Sequence, residues 1–100
     1  MSHYRLTRLA TRDFDKIIDE LDKRSRTAAK RIASAIHEQC GRYAENPLLG
    51  ILRDDLAPDL RCFLAFRYVV FYTPMPGGIE IARIFHGHQD IEPDMIPPQP

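Results

Sequence analysis

LAPDLRCFLAFRYVVFYTPMPGGIEIARIFHG, from Leu56 to Gly87, reads as three short β-strands joined by two turns. Leu60–Ala65 and Tyr68–Thr73 are separated only by Phe66-Arg67, a spacing that pairs them as an antiparallel hairpin. Pro74-Met75-Pro76-Gly77-Gly78 then turns the chain into a third strand, Ile79–His86. Valine, isoleucine, phenylalanine and tyrosine dominate these runs, as a half-buried pleated surface favours. Arg61 and Arg83 interrupt the apolar pattern. An arginine in a strand loses packing unless its guanidinium reaches water or a partner. The two are therefore candidates for chemistry, with Asp55, Asp59 or Glu80 as partners in a purely structural reading.

Working back to the N-terminus, His3–Leu6 alternates Tyr4 and Leu6 and predicts a first strand. Thr7 can cap the helix that follows. Ala10, Phe14, Ile17, Ile18 and Leu21 make one apolar helical face. Asp19–Lys23 and Glu20–Arg24 are acid-to-base pairs on the solvated side, each contributing about 0.3 kcal/mol. Ser25 is placed to cap a second helix, Arg26 to Ala44, with Ala29, Ile32, Ala33, Ile36, Cys40 and Tyr43 inward. Its early alanines let the two helices approach as an αα-hairpin. Asn46-Pro47 ends it, because a residue before proline is pushed out of the helical region. Leu48–Asp59 is expected to be a loop. Beyond Gly87 the prolines at 93, 97, 98 and 100 predict a tail that frays. The expected organisation is one domain over residues 1–92 and a proline-rich tail over 93–100. The fold class is α+β, β-α-α-β-β-β, with the helical hairpin on one face of a small, mainly antiparallel sheet.

Composition narrows the function classes. With 100 residues, 44% apolar and 28% charged, the chain is a single globular domain. Its formal net charge is zero, which disfavours non-specific binding to nucleic acid, and no sequence-specific nucleic-acid contact is expected. The charge is uneven: residues 1–42 hold ten Lys/Arg against six Asp/Glu, and residues 43–100 hold four against eight. Cys40 and Cys62 lie in apolar stretches without metal-ligand spacing, so two reduced thiols and no metal are expected. No apolar run approaches the ~20 residues needed to span a bilayer, and the N-terminus is polar. A cytoplasmic location with no membrane contact is expected.

The pieces in order resemble the RelE/ParE toxin superfamily. YRLTRLATRDFDKI is similar to that family's strand–helix opening. NPLLGILRDDLAPDLRCF resembles its central loop, with Pro47, Gly50, Arg53, Asp55, Leu56, Pro58, Leu60 and Arg61 in place. YVVFY followed by IEIARIFHG resembles its ending, with Tyr72, Ile79, Ile81, Arg83, His86 and Gly87. The resemblance implies the toxin of a bacterial type II toxin–antitoxin pair, held by the C-terminal amphipathic segment of a cognate antitoxin. ParE-like members are associated with DNA gyrase inhibition and RelE-like members with ribosome-dependent mRNA cleavage.

A metal-free ribonuclease needs an acid, a base and nearby cations. Arg61, Arg83 and His86 are the residues that would supply them. Arg83 and His86, however, are three apart and point to opposite faces of a regular strand unless a bulge intervenes. His86 reads equally as a hydrogen-bonded structural histidine, and Tyr68 and Tyr72 as core tyrosines with wet hydroxyls. The favoured reading is a ParE-like gyrase inhibitor with no catalytic groups of its own. The alternatives are the endoribonuclease and a degenerate member that only binds its partner. No cofactor is implied by any of them. A sheet and helical hairpin leave apolar grooves for a partner. Phe14, Ile17, Leu21, Phe63, Arg67 and Tyr68 are the expected antitoxin contacts.

Overall fold

The computed structural model describes residues 2–98. Its elements are β1 (His3–Leu6), α1 (Arg8–Arg24), α2 (Arg26–Glu45), β2 (Ile51–Leu52), β3 (Arg61–Ala65), β4 (Tyr68–Met75) and β5 (Gly78–His86), with a final 3-10 turn at Pro93–Met95. Both helix starts are capped as the sequence indicates: Thr7 Oγ1 accepts from Ala10 N at 3.1 Å and Ser25 Oγ from Ala28 N at 3.1 Å. Ser25 also ends α1, its N–H donating to Leu21 O at 2.8 Å. One residue therefore sets the corner of the helical hairpin.

The sheet order is β1-β5-β4-β3-β2, with β1 parallel to β5 and the other pairs antiparallel. The α+β architecture is as expected. One strand was not: within the expected Leu48–Asp59 loop, Ile51 and Leu52 pair with Cys62 and Arg61. The expected Pro74–Gly78 turn shortens to Pro76-Gly77, since Pro74 and Met75 pair with Ile79 and Gly78. Proline is tolerated in β4 here because β3 begins only opposite Tyr72, so Pro74 needs no ladder donor on that side. Gly78 is required by close approach: a Cβ there would collide with the His3 carbonyl at the start of the β1–β5 pair.

The sheet is covered on both faces. Under the helices lie Ala10, Ile36, Cys40, Phe63, Val70, Tyr72, Ile79, Ile81 and Ile84. On the other face Leu56, Leu60, Cys62, Phe71, Ala82 and Phe85 are roofed by Ile91, Met95 and Ile96. The expectation of a fraying tail from Pro93 is therefore corrected over 93–96. The chain turns there through the 3-10 segment, and Ile96 is buried against the sheet, because β4 and β5 are apolar on both faces and need a second cover. Among the described residues no helix is long and apolar enough to cross a membrane.

Candidate functional site

The residues that stand out in the sequence lie at two ends of the β3–β4 hairpin. At the open end Arg61 pairs with Tyr72 across the ladder. The buried Tyr72 hydroxyl donates to Pro47 O at 2.7 Å and accepts from Gly50 N at 2.9 Å. Arg61 Nη1 donates to Leu48 O at 3.1 Å and Gly50 O at 2.9 Å. Burial pushes the Tyr72 pKa up, against the opposing pull of the Gly50 N–H and the Arg61 charge. Gly50 has no room for a side chain, since a Cβ would meet the Tyr72 ring. Together these contacts clamp the 47–50 loop to the sheet. Next to it Arg53 grips Asp55 through two bonds of 3.0 Å. The hydrogen bond from Arg53 is the main cause that holds the Asp55 pKa low.

Arg83 is committed elsewhere. Phe71 pairs with Arg83 and Tyr72 with Ile81, which leaves Ala82 as the extra residue of a bulge. Beyond it Arg83 Nε and Nη2 donate to the Asp13 carboxylate at 2.7 and 2.9 Å, and Nη1 to Met95 O at 2.9 Å. Asp13 also accepts from Ile84 N at 3.0 Å. Since β1 stops opposite Ile81, this carboxylate takes over the edge of β5 that β1 leaves open. The Arg83 partner is thus Asp13 on α1, not Glu80, which pairs with Arg5. Asp55 and Asp59 are likewise not the partners of Arg61.

The would-be nuclease trio is placed accordingly. Arg61 faces the 47–50 loop. Arg83 and His86 border one shallow depression at the β5 edge, of about 290 Å³, but all three Arg83 nitrogens are engaged. His86 stands edge-on to Tyr68 at 5.7 Å, and its Nδ1 accepts from His88 N at 3.3 Å. Cys40 and Cys62 are free and buried, burial pushing the Cys40 thiol up to about 12. Among the described residues no group of three or more His, Cys, Asp or Glu could hold a metal ion.

At the turn end of the hairpin the surface opens. A groove of about 500 Å³ runs between the corner of the helical hairpin and the β3–β4 turn. It is lined by Ile17 and Leu21 of α1, Ala28 and Ile32 of α2, and Tyr68 and His86 of the sheet, with Phe66 of the turn and the charged Glu20, Arg24 and Arg67 at its border. The small Ala28 leaves the space. Four of the expected antitoxin contacts, Ile17, Leu21, Arg67 and Tyr68, thus converge. Phe14 lies outside the groove, 5.1 Å from the His37 ring. Phe63 is a correction: it is 2% exposed and stacked on Tyr43 at 4.2 Å. The alternation of β3 turns it inward beneath α2, into the core. Sequence reasoning missed Phe66 and Ile32. The available signal was Phe66 itself, a large apolar residue in a two-residue turn that normally holds glycine, asparagine or aspartate.

Comparison with known proteins agrees with this architecture. The family model described as the ParE toxin of type II toxin–antitoxin systems, parDE, matches residues 4–91. A solved structure described as the chromosomal ParDE TA system from P. aeruginosa superposes with a TM-score of 0.71 at 22% identity, covering 86% of this chain and 96% of that one. No curated protein matches the sequence.

Proposed function

Since the chain belongs to the ParE toxin family of type II toxin–antitoxin systems, we propose that it is the toxin of such a pair, inhibits DNA gyrase in the bacterial cytoplasm, and is silenced by a C-terminal antitoxin segment seated in the groove. One observation carries this reading. The arginines that ribonuclease chemistry would need are engaged within the fold, Arg61 with Leu48 and Gly50 and Arg83 with Asp13 and Met95, while the groove beside Phe66 stays open. Trapping an enzyme on cleaved DNA needs a binding surface and no acid–base pair on the toxin. Ribose 2′-OH attack needs groups free to act.

The test is plasmid supercoiling and mRNA cleavage, measured on the same protein freed of antitoxin. Loss of supercoiling, accumulation of cleaved gyrase–DNA complexes and intact mRNA are expected. Cut mRNA with intact supercoiling overturns the proposal and makes Arg61, Arg83 and His86 the residues to substitute. Adding antitoxin at about 1,000 times its Kd is expected to stabilise the toxin by roughly 4 kcal/mol.

A further inference from the structure

The outer edge of the sheet is apolar where such edges are usually guarded. Residues 47–52, PLLGIL, carry no charge. Leu48, Leu49, Ile51 and Leu52, together with Leu64 of the neighbouring β3, are 48–70% exposed. Five of the six large apolar side chains exposed among the described residues thus sit on this rim. Ile51 lies opposite Cys62 and so shares a face with Leu64, two residues further along β3. Leu52 lies opposite Arg61, on the other face. Arg53 N donates to Leu60 O at 2.7 Å. By the alternation of an antiparallel ladder, the Leu52 N–H and C=O therefore point away from β3, out of the sheet edge. Proteins commonly blunt an edge strand with lysine, proline or a covering segment. β2 contains neither residue, and the chain has no lysine after Lys30. Tyr72 and Arg61 meanwhile hold the 47–50 loop against the sheet, so these aliphatic side chains stand on a fixed base. A surface ordered in advance loses less entropy on association.

We propose that this rim is a self-association surface, on which a second copy of the chain docks about a twofold axis. A twofold contact sets one patch against itself, so the patch must be self-complementary. A charge-free aliphatic patch meets that condition without like-charge repulsion, and it offers a charged partner nothing to pair with. The formal net charge of zero adds no long-range repulsion between copies. The area also fits. The five side chains expose roughly 500 Å², near the top of what a monomer leaves bare. Two copies together cover about 1,000 Å², the least that a specific dimer needs. None of the five residues lines the groove between the helical hairpin and the β3–β4 turn, so the inference stands apart from the antitoxin reading.

The test is sedimentation equilibrium of the full chain, freed of antitoxin, across the micromolar range. A monomer–dimer equilibrium with a micromolar dissociation constant is expected, as an interface of this size gives. Ile51→Lys and Leu48→Glu, each placing a charge opposite its own copy, are expected to raise that constant at least about tenfold. Both positions are exposed, so both variants should keep the circular dichroism spectrum of the folded chain. The pair guards against one of them failing to fold. Leu21→Asp, in the groove, serves as the control and is expected to dimerise like the native chain. A chain that stays monomeric up to several hundred micromolar overturns the proposal. So does a dimer that both folded rim variants leave intact, or one that Leu21→Asp dissolves, since the interface would then be the groove. Open-ended association in place of a dimer overturns it as well, because a twofold contact closes after two copies.

Discussion

The two ends of the β3–β4 hairpin treat their polar and aromatic groups in opposite ways. At the open end Arg61 and Tyr72 turn inward, and between them bond Pro47, Leu48 and Gly50. At the turn end Phe66 and Arg67 point outward beside the groove. The contrast separates two jobs within one short element. Where a buried polar group is fully bonded it fixes a loop, and its loss destabilises the fold. Where an aromatic residue and a cation are left open to solvent, the fold does not need them and a partner can use them. The Arg83–Asp13 pair follows the open end, joining α1, β5 and the tail.

Substitutions should divide along the same line. Asp13→Ala is expected to have the largest effect on stability, because it leaves the Arg83 guanidinium unpaired at 19% side-chain exposure and the Ile84 N–H without its acceptor. A loss of about 3 kcal/mol, or roughly 15 °C in Tm, should appear in thermal unfolding. Less than about 1 kcal/mol would show the Arg83–Asp13 pair to be a surface contact. Tyr72→Phe comes next, at about 2 kcal/mol, for stranding the Pro47 carbonyl and Gly50 N–H. Urea denaturation measures it, and a neutral result would mean that water replaces the hydroxyl. Leu21→Asp, in the half-buried lining of the groove, should change stability by no more than about 1 kcal/mol. It should nonetheless weaken antitoxin binding at least about tenfold. If that variant unfolds, or binds antitoxin as well as the native chain, the distinction between the two ends collapses.

Much of the fold was legible because local chemistry and global packing agree. Thr7 and Ser25 cap the helices they precede, Asn46-Pro47 ends the second helix, and Phe66-Arg67 joins a two-residue hairpin. The short β2 strand was not legible, since two residues carry no periodicity and their pairing is imposed by the clamp on Gly50. The packing of Ile96 was hidden by the prolines around it, although YVVFY, apolar on both faces, signals a sheet covered on both sides. Of the expected contact residues, Ile17 and Leu21 of the first helix and Arg67 and Tyr68 around the turn converge on the groove, while Phe14 lies outside it. Phe63, only three residues before Phe66, faces the core.

What the sequence determined by itself is the β-α-α-β-β-β order of the main elements and the family pattern, because capping, turn chemistry and strand alternation act over a few residues. Tertiary structure alone decided what the patterned residues do. Arg83 meets Asp13 across 70 positions of chain, and Arg61 and Tyr72 close on a loop that precedes them both. Phe66 gains its meaning only from the space left above Ala28. Such contacts depend on distances between remote segments, which packing sets and local propensity does not encode.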